Sequence, residues 1–200
     1  MARKEIHLMT ALDIAPTELD LDGRRITLRP LTAADKDAML SFANALPVRE
    51  LLFLKRDIRS PRVFKAWMQE IEAGTIRSII AVEGDAIRGC TALVRDELSW
   101  SPHVAEVRVL VDTATRGMGL GRLLAMHCLD AAADERIEKL TVRMTTDQEA
   151  ARQMFEEMGF RPEALLRDHV RDADGVSSDI LIMAQDTRSH GAIHSIYGLG

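Results

Sequence analysis

Cysteine is scarce in this 200-residue chain: only Cys90 and Cys128 occur, far apart and in apolar settings. That excludes a disulfide scaffold and a zinc site built on paired thiolates, and it fits a reducing compartment. A basic excess is missing too, with 26 Lys and Arg against 31 Asp and Glu. Proteins that neutralise nucleic-acid phosphates usually carry such an excess, so no nucleic-acid partner is expected. No segment approaches the ~20 apolar residues of a membrane span. The opening 15 residues mix acidic with apolar side chains, unlike a secretory signal. No membrane partner is therefore expected, and the location read from the chain is cytoplasmic. What is there is 46% hydrophobic and 28% charged. This is ordinary globular material, enough for the core of one domain.

The patterning divides the chain into a polar leader over residues 1–23, one α/β domain over 24–185 and a polar, glycine-rich tail over 186–200. A short strand is expected from Ile26 to Leu31. Thr32 and Asp35 then stand at capping-box spacing before a helix carrying Met39, Phe42, Ala43 and Leu46. A second helix starts with Ser60 as N-cap and Pro61 at its first position. Its apolar stripe is Phe64, Trp67, Met68 and Ile71, and Gly74 ends it. The period then changes to two. Strands are expected over Ser78–Val82, Ile87–Val94 and Val104–Val111, the first two joined at Glu83-Gly84-Asp85. In the third, Ala105, Val107, Val109 and Val111 share one face, and Glu106, Arg108 and Leu110 the other. A helix follows with Leu120, Leu123, Leu124, Cys128 and Ala131 inward, Cys128 acting as a small buried hydrophobe. After a strand at Leu140–Met144, Thr146 and Glu149 form a capping box for a helix through Ala151, Met154, Phe155 and Met158. Leu165–Val170 and Val176–Met183 close the domain as a hairpin turning at Asp174-Gly175.

The segment from Val109 to Arg122 carries the chemistry. A strand enters a turn with three alternating glycines, Gly117, Gly119 and Gly121, and a helix begins at once. Such a turn presents backbone N–H groups at a helix N-terminus, where the macrodipole favours negative charge. Arg116 and Arg122 add positive charge on either side. The ligand chemistry is that of a pyrophosphate. A dinucleotide fingerprint fails, because Arg122 stands where its last glycine belongs, and a P-loop fails for want of Gly-Lys-Ser/Thr.

At these residues the chain resembles the GNAT superfamily of acyl-CoA-dependent N-acetyltransferases. The Arg/Gln-x-x-Gly-x-Gly/Ala signature is met by Arg116-Gly117-Met118-Gly119-Leu120-Gly121. A second motif is met in spacing by Gln148, Ala151, Phe155, Gly159 and Phe160. The resemblance implies a mixed, mostly antiparallel, splayed sheet of about seven strands with about four flanking helices. It also implies acetyl-CoA as acyl donor, with no metal. Backbone groups of Val109, Leu110 and Val111 would pair with the pantetheine arm. The segment Arg116, Gly117, Met118, Gly119, Leu120, Gly121 and Arg122 would take the pyrophosphate, and Gln148 and Phe155 complete the cofactor contacts.

The reaction so implied is direct attack of a primary amine, on a small molecule or a peptide, within a ternary complex. A lysine-like amine is almost wholly protonated at pH 7, so a base is required. Glu106 is the first candidate and also reads as a carboxylate paired with Arg108. His103, just before the strand, is the second. The usual general acid, Tyr, is replaced by Phe155, which cannot donate; Tyr197 lies in the tail. A non-catalytic acyl-CoA-binding sensor is the alternative function, and a homodimer is left open, with the tail as an oligomerisation arm. His190 and His194 have helical metal-ligand spacing but no third ligand. Trp67 and Trp100 read either as cleft-lining or as core and loop residues. Leu51 to Leu54 read as an apolar wall of the acceptor site or a subunit contact, and Arg49, Glu50, Lys55, Arg56 and Asp57 as contacts to a charged acceptor or a solvated face.

Overall fold

The computed structural model describes residues 14–187. One mixed sheet runs through the molecule. Its strands are β1 (Thr17–Leu21), β2 (Arg24–Pro30), β3 (Ile76–Glu83), β4 (Ala86–Arg95), β5 (Val104–Val111), β6 (Lys139–Thr145), β7 (Arg161–Arg171) and β8 (Ser177–Asp186). Among the described residues four α-helices accompany them: α1 (Lys36–Ala45), α2 (Pro61–Glu72), α3 (Leu120–Asp134) and α4 (Glu149–Glu157). The strand order is β1-β2-β3-β4-β5-β6-β8-β7. All neighbours are antiparallel except β5 and β6, which are parallel and joined through α3, as a parallel connection requires.

Among the described residues eight strands rather than about seven form the sheet, and the extra one lies within the expected leader. β1 pairs with β2 across a tight turn in which Asp22 and Gly23 both have positive φ, 53° and 81°. That is the backbone a two-residue hairpin favours, because its twist matches the strands. Asp20 Oδ1 accepts the Gly23 N–H at 2.8 Å and closes the turn. At the other end, β8 extends to Asp186 and lies between β6 and β7, so the final hairpin adds to the sheet by its second strand.

Burial follows the period-two pattern. On one face Ala105 and Val107 join Leu120, Leu124 and Cys128 of α3 and Phe155 of α4 in a single core. On the other, Leu110, Cys90 and Ile80 pack with Met39 and Phe42 of α1 and Phe64 and Trp67 of α2. Cys128 is fully buried, its Sγ 3.0 Å from Thr91 Oγ1. Burial pushes its thiol up to about 12, so it stays protonated and inert. Among the described residues no helix is long and apolar enough to cross a membrane.

Two helix starts bear on the sequence. The Thr32–Asp35 capping box forms on a 3₁₀ turn over Ala33–Asp35 that leads into α1. Asp35 Oδ2 accepts from the Thr32 N–H at 2.8 Å and from the Thr32 hydroxyl at 2.7 Å, while Asp35 N–H closes the turn onto the Thr32 carbonyl at 3.1 Å. Asp35 is buried and takes both prongs of Arg29, at 2.6 and 2.9 Å. These donors, Arg29 above all, hold its carboxyl down to about 2 against the opposing cost of burial. The folded value lies below the unfolded one, so this stabilisation is complete above about pH 4 and disappears as pH falls towards 2. Asp35→Asn is expected to cost about 1–3 kcal/mol at pH 7. Urea unfolding should show the gap between variant and wild type closing near pH 2. α4 departs from expectation, because Gln148 rather than Thr146 is its N-cap. The Gln148 side chain turns back to accept the Thr145 N–H at 3.3 Å.

Candidate functional site

The site begins where β5 and β6 part. β4 pairs with β5 all the way to Val111, but β6 pairs with β5 only from Val104 to Val107. Beyond that point β6 continues as Arg143, Met144 and Thr145 paired to β8 alone. The sheet therefore splays at its middle. Asp112 N–H donates to Arg88 O at 2.8 Å. Backbone groups alternate along a strand, so Val109 and Val111 aim theirs away from β4, into the splay. A strand partner on that side is absent for both among the described residues.

The glycine turn sits at the mouth of this opening. Asp112 Oδ1 accepts the Ala114 N–H at 2.8 Å, starting a short 3₁₀ turn over Thr113–Thr115. Gly117 and Gly119 follow with φ of 78° and 82°, a left-handed backbone that other residues enter at a cost of about 1–2 kcal/mol. A Cβ at either position would meet nothing within 4 Å, so both face open space. The first i to i−4 bond of α3 runs from Leu123 N–H to Gly119 O. Among the described residues the N–H groups of 117–122 have no backbone acceptor, which is the state of an unsatisfied helix N-terminus. Together with the open edge of β5 these amides fit a diphosphate followed by an extended amide-bearing arm.

The turn is anchored from behind. Arg88 donates to Asp112 Oδ2 at 2.9 Å and to Glu83 Oε2 at 2.9 Å, and Arg24 joins Glu83 to the Ala114 carbonyl. Hydrogen bonds from Arg24 and Arg88 hold the Glu83 carboxyl down to about 2. The two signature arginines are engaged as well. Arg116 Nη2 pairs with Glu50 and lies 3.5 Å from the Val111 carbonyl. Arg122 Nη1 donates to Glu157 of α4 at 3.0 Å. Leu120 is 1% exposed, so only its amide is presented, while Met118 is half-buried. Phe155 is buried, edge-on to Phe160 with ring centroids 5.1 Å apart.

The opposite face of the sheet carries a cavity of about 470 Å³ between β4, β5, α2 and the loop before α2. Leu54, Ile58, Trp67 and Leu110 supply apolar wall, and Lys55, Arg56 and Arg108 supply charge. Trp67 also anchors the core, donating from Nε1 to Ser78 Oγ at 3.0 Å. Trp100 is fully exposed in the β4–β5 loop and is not among the residues that line this cavity. Glu106 belongs to the same face as Arg108 and Leu110. Its side chain is 14% exposed, Oε1 accepts from Arg108 Nε at 2.7 Å, and Oε2 lies 4.0 Å from Lys55 Nζ. His103 is exposed, three to four residues before the parting of β5 and β6, or roughly 10–13 Å along the strand. Its carbonyl accepts the N–H groups of Glu138 and Lys139. His190, His194 and Tyr197 lie outside the described residues.

Sequence reasoning missed the span between the two arms of the splay. A 3₁₀ turn over Val48–Leu51 places Glu50 on Arg116 and Arg49 3.9 Å from Asp147, which precedes α4. Leu51 and Phe53 are buried beneath it. No local signal announces a pair 66 residues apart.

A sheet splayed between β5 and β6, with a glycine turn at the splay, defines a class, and comparison agrees. Residues 45–160 match the model of the acetyltransferase (GNAT) family, more than half of the chain. The chain belongs to that family and is an acyl-CoA-dependent N-acetyltransferase. Among solved structures it is similar to an N-acetyltransferase from Staphylococcus aureus Mu50, with TM-score 0.71 and 15% identity over 81% of this chain and 98% of that one. It is also similar to a ribosomal-protein-alanine N-acetyltransferase from Brucella melitensis, at 0.69 and 19% over 80% and 98%. A third, yncA from Salmonella typhimurium, holds its cofactor acetyl-CoA and gives 0.69 and 19% over 81% and 94%. No curated protein matches the chain significantly in sequence.

Proposed function

We propose that the chain transfers an acetyl group from acetyl-CoA to a primary amine of a small molecule or peptide by direct attack in a ternary complex. One observation carries this: amides of residues 117–122, without a backbone acceptor among the described residues, stand at the mouth of a splay lined by the edge of Val109 and Val111 that pairs with no strand there. Those groups would hold the diphosphate and the pantetheine arm. When bound, acetyl-CoA supplies a thioester whose acyl carbon bonds to the amine nitrogen while the C–S bond breaks and thiolate leaves.

The chain's own side chains manage the acceptor. Glu106 flanks Val107, the last β5 residue paired to β6, which supports a role for its carboxylate at the apex of the splay. There it takes a proton from the incoming ammonium and yields it to water. A second proton leaves nitrogen as the amide forms and neutralises the thiolate through solvent. Phe155 has no proton to give, and a thiol-like pKa near 8.5 makes that tolerable. His103 remains the alternative base, from its exposed position before β5.

Thiol release from acetyl-CoA over a panel of amines, beside calorimetric titration of acetyl-CoA, tests the reading. Turnover on at least one amine is expected; tight binding without turnover would point to a sensor. Arg116 must change partners to reach a diphosphate. Glu50→Gln, which frees it, is therefore expected to tighten acetyl-CoA binding by up to about fivefold, the worth of an exposed ion pair.

A further inference from the structure

We infer that the acceptor is a free α-amino acid with an apolar side chain, its carboxylate taken by Arg108 and its ammonium by Glu106. The inference rests on the acetyltransferase reading of the same site and adds the chemistry of the amine. Arg108 lines the cavity, and its side chain is 19% exposed. Of its N–H donors only that on Nε is spent, on Glu106 at 2.7 Å. Neither Nη has a protein partner among the described residues. An unspent fork at the wall of a cavity offers its Nη donors to a ligand. A planar carboxylate does so with two parallel hydrogen bonds.

The other cations at the cavity lack this capacity. Arg56 is matched by Glu70 at 2.9 Å, and Arg95 by the Pro102 carbonyl at 2.8 Å and Glu97 at 3.1 Å. Lys55 is 64% exposed at the rim. Glu106 and Arg108 sit two residues apart on one strand face and already touch, so opposite charges stand side by side. An α-amino acid carries the complementary pair on a single carbon. Laid across Glu106 and Arg108, it places its nitrogen beside Val107, where β5 and β6 separate. Its side chain then enters the wall of Leu54, Ile58, Trp67 and Leu110. A volume of about 470 Å³ is of small-molecule size. A polyamine would set cation against Arg108, and a peptide N-terminus has no carboxylate next to its amine.

Steady-state thiol release from acetyl-CoA tests this with apolar L-amino acids, their amides, spermidine and a Leu-initiated tripeptide. The expected result is kcat/KM at least tenfold higher for an apolar amino acid such as L-leucine than for L-leucinamide. Arg108→Gln should raise the KM for that amino acid about tenfold, abolish its advantage over the amide, and leave acetyl-CoA affinity by calorimetry unchanged. Equal or faster turnover of the amides, the tripeptide or spermidine by the wild-type protein would overturn the inference while leaving the acetyltransferase intact. That comparison needs no variant to fold. Absence of both acetyl-CoA binding and thiol release would instead remove the underlying reading.

Discussion

Glu106→Gln is expected to lower kcat by about a hundredfold, the lower range for loss of a positioned general base, with the acetyl-CoA dissociation constant unchanged. Glutamine keeps the length of the side chain and an oxygen that accepts from Arg108 Nε, so the packing at the splay apex should persist. What it loses is the capacity to take a proton. The pH profile separates this loss from simple damage. As pH rises towards the amine's own pKa, more acceptor arrives neutral and the base matters less. The deficit of the variant should therefore shrink with rising pH. A deficit that stays constant with pH, or cofactor affinity falling in step with kcat, would make Glu106 a structural partner of Arg108 and Lys55.

The parts of this site legible in sequence are those built by neighbours along the chain. The run from Val109 to Arg122 shows strand, glycine turn and helix start within 14 residues, and each element forms as the pattern dictates. The alternation that puts Glu106, Arg108 and Leu110 on one face is equally local. β1 was obscured because Glu18 and Asp20 interrupt Leu19 and Leu21, so the segment reads as polar; its pairing to β2 through Asp22-Gly23 is what makes it a strand. The N-cap of α4 was displaced because Gln148, with a long amide, closes the turn that the Thr146 hydroxyl was expected to close. The splay is a property of two strands 28 residues apart and entered through family resemblance, not periodicity. The bridge of Glu50 to Arg116 and the cavity over Leu110 assemble from separate segments. Charge runs such as Arg49 to Asp57 carry no mark of which members will face a cavity. Of these, Lys55 and Arg56 do, whereas Asp57 pairs with Arg59 at 2.8 Å.

Gly119→Glu is expected to weaken acetyl-CoA binding thirty- to a hundredfold. Gly119 is the N-cap of α3, with φ of 82° and open space where a side chain would project. A carboxylate there would stand in the volume assigned to the diphosphate and repel it. Two like charges about 4 Å apart near a surface oppose one another by up to ~4 kcal/mol, which screening reduces to the range stated. Backbone strain is a competing cause, since any side chain at this φ is strained. Gly119→Ala carries the strain without the charge and is expected to cost stability but less than fivefold in affinity. Calorimetry at two salt concentrations completes the test. The loss in the Glu variant should shrink at high salt, because screening acts on charge and not on strain. Equal losses in the Ala and Glu variants, both insensitive to salt, would show that the turn acts through its shape alone. Wild-type affinity in the Glu variant would place the diphosphate elsewhere, and the glycine turn would then be only the packing of α3 onto β5.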